Sequence, residues 1–203
     1  MTPIRMLCLL ATVLAAAGCA TTTLSSRNMA DVQLSPELEI YRSYRVTGLE
    51  VYVPYTLEVS EANAYYPEAD IVWREDPPGD RHLQVRNVVR NAALHATSGL
   101  RGARDVTLAI EVTRFHSLTE KARYTLGGMH SVHLLMAVYD AQTGALLEGP
   151  RPIDASLRAY GGAKAVEATH AGNPPKVRLH RHLAGVLQEA LLPPASPPPS
   201  GLM

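Results

Sequence analysis

The spacing of apolar side chains changes repeatedly along the chain, and each change marks an element. Leu49, Val51, Val53, Tyr55, Leu57 and Val59 alternate with Glu50, Tyr52, Pro54, Thr56 and Glu58. That period of two predicts a strand with the first set facing a core. Pro54 brings no amide hydrogen, which places the strand at a sheet edge or a bulge. Asp70-Ile71-Val72-Trp73 predicts a short second strand before the turn cluster Pro77-Pro78-Gly79. The spacing then becomes helical: Val85, Val88, Val89, Ala92 and Ala96 fall on one side, and Arg86, Asn87, Arg90 and Asn91 on the other. Asp80 is positioned to cap this helix and Gly99 to follow its end.

Alternation returns at Val106, Leu108, Ile110 and Val112, the cleanest strand pattern in the chain. Val132, Leu134, Met136 and Val138 repeat it, with Leu135 and Ala137 on the other side, as in a central strand covered on both faces. Asp140-Ala141-Gln142-Thr143-Gly144 reads as a tight reversal. Ile153, Ala155, Leu157 and Ala159 alternate again and close an antiparallel meander. A last helical stripe, Leu179, Leu183, Val186, Leu187, Ala190 and Leu191, is entered through Pro174 and Pro175, where missing amides cost little. Strand, short strand, helix, three strands and helix together predict an α+β domain: a mostly antiparallel sheet with two amphipathic helices packed on one face.

The two ends do not fit that domain. Arg5, the apolar and small residues 6–17, and then Gly18 and Cys19 have the order of an export signal. The tetrad Ala16-Ala17-Gly18-Cys19 resembles the lipobox of bacterial lipoproteins, although that family usually has leucine where Ala16 stands. The resemblance implies cleavage before Cys19, lipidation of its thiol, and, with Ala20 rather than aspartate next, sorting to the outer membrane facing the periplasm. Cys8 falls in the removed segment, so Cys19 is the one thiol left and no internal disulfide can form. Residues 1–18 are thus expected to be a signal peptide and 19–36 a lipidated, Thr- and Ser-rich tether. Residues 37–192 form the domain and 193–203 a proline-rich disordered tail.

Composition removes some function classes. Lys+Arg and Asp+Glu both number 19, so no overall field draws the chain to nucleic acid. His130 and His133 are an odd number apart on a strand, and His180 and His182 are two apart on a helix, so neither pair shares a face for a metal. No G-x-S-x-G elbow and no phosphate-loop lysine accompany the glycine pairs Gly127-Gly128 and Gly161-Gly162, which serve turns. Neither a cofactor nor a metal is expected.

The most unusual polar stretch is residues 114–124. Arg114, Phe115, Glu120, Lys121, Arg123 and Tyr124 combine both charge signs with flat apolar area, the composition of a partner-contact surface. The competing reading is an exposed hairpin end whose charges pair with one another. The runs Ala69-Asp70-Ile71-Val72-Trp73-Arg74-Glu75-Asp76-Pro77, residues 113–124, and Gly161-Gly162-Ala163 resemble an uncharacterised family of small alphaproteobacterial lipoproteins. That resemblance implies an envelope address and no particular activity. The expectation is therefore a membrane-anchored, non-enzymatic binding, assembly or transport accessory with an envelope protein or lipid partner. The alternative is an envelope hydrolase or lipid-modifying enzyme whose site is assembled only by the fold.

Overall fold

The computed structural model describes residues 44–191. The expected signal segment, the tether with Cys19 and the proline-rich tail lie outside the described residues. In chain order the elements are β1 (Tyr44–Tyr52), β2 (Ile71–Val72), α1 (Arg81–Thr97), β3 (Arg104–His116), α2 (Glu120–Arg123), β4 (Gly128–Asp140), β5 (Leu146–Asp154), β6 (Leu157–Ala159), α3 (Gly162–His170) and α4 (Pro175–Leu191). The sheet runs β1-β3-β4-β5, with β2 paired to the far end of β3 and β6 to the start of β4. The β3, β4, β5 and β6 pairings are antiparallel, as expected. β1 and β2 lie parallel to β3, because α1 supplies the crossover that returns the chain to the β1 end.

Register explains the core. Leu49, Leu108 and Val138 are aligned across β1, β3 and β4, and so are Val51, Ile110 and Met136. On this face the β3 and β4 side chains are at most 2% exposed. Val85, Val88, Val89, Ala92 and Ala96 of α1, and Leu179, Leu183, Leu187 and Leu191 of α4, complete a single cluster over it. Both helices thus lie on one face, and Arg86, Asn87, Arg90 and Asn91 point to solvent. The other face of β4 is not covered by these helices: Leu135 and Ala137 line an open depression with Tyr52, Tyr139 and Pro150.

Several boundaries differ from the sequence reading for local reasons. β1 ends at Tyr52, before Pro54, and Tyr55 is 75% exposed rather than in the core. Val59 rejoins the sheet through an isolated parallel bridge to Ile71. β5 begins at Leu146, earlier than alternation shows, because Gly149, Pro150 and Pro152 interrupt the pattern on an edge strand. The expected run 153–159 divides into β5 and β6 where Ser156 N–H bonds the Asp154 carboxylate at 2.9 Å. The reversal at 140–144 forms as read, with Gly144 at φ +71°.

Asp80 caps α1 by accepting from Leu83 N at 3.0 Å. Asp80→Ala should cost about 1 kcal/mol, lowering the thermal midpoint by roughly 2–4 °C for a domain of this size. Asp80→Asn should keep most of that stability. Equal melting of wild type and the alanine variant would show that the cap contributes nothing.

Candidate functional site

Residues 114–124 are not an exposed hairpin end. The β3–β4 register slips between Val112 and Arg114, which reverses the facing of the strand beyond it. Phe115 is therefore 0% exposed and meets Trp73 edge-on at 5.4 Å, so it offers no area to a partner. His116, Ser117 and Thr119 are buried as well. Thr119 starts α2, accepting from Ala122 N at 3.2 Å and donating to Ala64 O at 2.6 Å. Of the residues expected to contact a partner, Lys121 and Tyr124 are exposed, while Arg114, Glu120 and Arg123 are only partly so.

The partly exposed charges bond inward, and their partners come from the other signature run. Arg74 Nε donates to Glu120 at 2.9 Å, and Arg123 Nη1 donates to both oxygens of Glu75 at 2.9 and 3.1 Å. Glu61 bridges the cluster, accepting from Arg74 Nη1 at 2.9 Å and from Arg81 Nε at 2.5 Å. Trp73 Nε1 donates to Asp76 at 2.6 Å, and Asp76 also holds Lys176 at the start of α4. These contacts clamp the β2–α1 connection to α2 and α4. Burial raises the Glu75 carboxyl above its usual range despite Arg123. Burial acts on Asp76 in the same direction, but hydrogen bonds from Lys176 and Trp73 outweigh it and the net shift is downward. The third signature run joins close by: a Cβ at Gly161 would collide with the backbone of Gly127, so the two chain segments can touch only as glycine.

Beside the clamp, α1 and α4 border a groove of about 600 Å³. Asp76, Pro77 and Pro78 close one end, α1 contributes Gln84, Asn87, Val88 and Asn91, and α4 contributes Lys176, Val177 and His180. Its size lies within the ~300–1,000 Å³ of ordinary ligand sites. Its floor is mainly apolar. Gln84 is committed to Arg81 and Pro77 O, whereas the Asn87 and Asn91 side chains meet no hydrogen-bond partner among the described residues. His180 stacks on His95 with ring centroids 5.6 Å apart. The lining offers recognition groups and no paired nucleophile and base. Sequence reading placed Asn87 and Asn91 on the solvent side of α1 but could not see that α4 flanks them.

The histidines sit where spacing put them. His130 and His133 face opposite ways, the first buried and the second exposed. His182 Nε2 lies 3.1 Å from Ser156 O, and His116 Nε2 lies 2.9 Å from Pro67 O. Among the described residues no cluster of His, Cys, Asp or Glu could hold a metal ion. No described helix is long and apolar enough to cross a membrane.

His130 is the most perturbed histidine. Its Nδ1 is 2.8 Å from Ser117 Oγ, and burial, reinforced by Arg178 and Arg123, pushes its pKa down from 6.5 to about 4. The unfolded chain therefore takes up this proton more readily than the folded one. The stability due to neutral His130 is complete above pH 6.5 and is lost as pH falls toward 4. The loss should total about 3 kcal/mol. Urea unfolding at a series of pH values, in halide-free buffer, should show it in wild type and much less of it in His130→Gln. Parallel acid limbs would contradict the assignment.

Comparison with known proteins adds a family. The model of a family of unknown function (DUF6778) matches residues 44–202. No curated protein matches the chain. Among solved structures, the chain is similar to the crystal structure of a candidate lipoprotein from Caulobacter crescentus CB15, at 13% identity and a TM-score of 0.32, covering 76% of this chain and 92% of that one.

Proposed function

We propose that this chain, which belongs to a family of unknown function (DUF6778), is a lipid-anchored binding module of the bacterial envelope. The groove between α1 and α4 carries the binding reading: it is ligand-sized, mainly apolar, and edged by the amides of Asn87 and Asn91, which meet no partner among the described residues. Such a lining suits an uncharged polar segment, whose hydrogen-bonding groups pair with amides while its apolar parts cover the floor. Retention of a bound species by protein taken from membranes, and its loss in Asn91→Trp, would test this reading directly.

Anchoring is supported by the order of charge, apolar run, small residues and cysteine that ends at Cys19. Two or more acyl chains there would hold the domain at the outer membrane, facing the periplasm. Cys19→Ala should abolish acylation and leave the chain unprocessed or mislocalised. A mature wild-type protein without acyl mass that washes off membranes at neutral pH would refute the anchor.

An envelope protein partner is favoured by a second surface. Lys121 on α2 and Tyr124 just past its end stand exposed; Lys121 lies over the Tyr65 ring at 4.5 Å, and Tyr65, Tyr66, Leu126 and Met129 are each at least 50% exposed. Tyrosine and methionine beside a cation make an interface composition, here presented on a clamped scaffold. Lys121→Ala with Tyr124→Ala should keep the fold and reduce cross-linking to that partner, and unchanged cross-linking would move recognition elsewhere. The enzymatic alternative would draw on Ser117 and His130, but Ser117 is 1% exposed and beyond reach of a substrate.

A further inference from the structure

Between β4, α3 and the first turn of α4 lies a small cavity edged by Arg123, His130, Tyr160, Asn173 and Arg178. His130 is 1% exposed, and its Nε2 is buried without a hydrogen-bond partner among the described residues. Arg123 Nε is in the same condition. A buried polar atom left bare is costly, so two at one cavity point to an occupant. The volume, about 10 Å³, is room for one water-sized or monatomic species.

Charge decides which. No carboxylate lines the cavity. Glu75 answers the charge of Arg123. Among the described residues no carboxylate pairs with Arg178, whose guanidinium lies 3.6 Å from the Tyr160 ring centre and donates to Arg158 O at 3.0 Å. The first turn of α4, the positive end of a 17-residue helix, adjoins the cavity through Pro175 and Arg178. Ser117 Oγ and His130 Nδ1 are 2.8 Å apart, and in the tautomer where the hydroxyl donates, His130 presents Nε2–H as a third donor. A water can accept from these donors but brings no charge to the half-buried Arg178, whereas a monoanion does both. We propose that this cavity is a binding site for one chloride-sized anion, held by Arg123 Nε–H, His130 Nε2–H and the Arg178 guanidinium. The ion would tie α2 and β4 to the start of α4, which supplies Lys176 and Val177 to the groove.

The test uses mature protein purified and crystallised without halide, then soaked in sodium bromide. One anomalous peak should appear among the three donors, stronger than any on the surface, and chloride-35 line broadening in solution should match it. Arg178→Met should weaken halide binding at least about tenfold, the loss of one charge-assisted hydrogen bond. If that variant does not fold, His130→Leu takes its place with the same expectation. The proposal fails if no peak appears, if the peak is no stronger than surface peaks (an adventitious ion only), or if it persists undiminished in the variant.

Discussion

Ile110→Asp is expected to leave the chain unfolded at 25 °C, with no cooperative urea transition. Ile110 is 2% exposed, aligned between Val51 and Met136, and lies in the cluster that α1 and α4 cover. Truncating such a side chain costs ~2–5 kcal/mol, and an unpaired carboxylate in its place adds several more. The sum is comparable to the ~5–15 kcal/mol that holds a whole domain together. Glu111→Ala, one residue on and facing the open side, should change stability by no more than about 0.5 kcal/mol. Circular dichroism across a urea series separates the two, and equal tolerance would mean that the facing of β3 is wrong.

Arg123→Ala is expected to cost about 3 kcal/mol by removing one partner of a buried pair, while Lys121→Ala, two residues away, costs at most about 0.5 kcal/mol. The Arg123 and Glu75 side chains are 13% and 10% exposed. Because the folded-state pKa of Glu75 is raised, its ionised form is a burden that appears as pH rises through that pKa. Without Arg123 the burden grows, so the defect should be larger at neutral pH than in acid. Replacing both residues with methionine should recover most of the loss, since the bare charge rather than the missing attraction is the cost. A neutral Arg123→Ala would dissolve the clamp as an account of this region.

Legibility in the sequence followed the range of the interactions. The faces of α1, β3 and α4 were readable because periodicity records which side chains share a side, and Asp80 because a cap acts within one turn. The parallel pairing of β1 and β2 with β3 was not, since strand direction is set by where the crossover returns. The burial of Phe115 escapes the alternation pattern because one bulge after Val112 reverses the facing of every later residue in β3. The clamp was half visible: Arg74-Glu75-Asp76 and Glu120-Lys121-Ala122-Arg123 carry complementary charges. Only the pairing of β2 with the end of β3 brings them together. The groove needed both helices at once, and no local pattern in α1 announces what α4 leaves open beside it.

Native mass spectrometry of mature protein released gently from its own membranes shows whether the groove between α1 and α4 holds a ligand. Wild type is expected to carry one noncovalent species per chain, absent from Asn91→Trp, whose indole fills the groove while the exposed position leaves the fold intact. An empty wild-type groove, or the same species retained equally by Asn91→Trp, would contradict it.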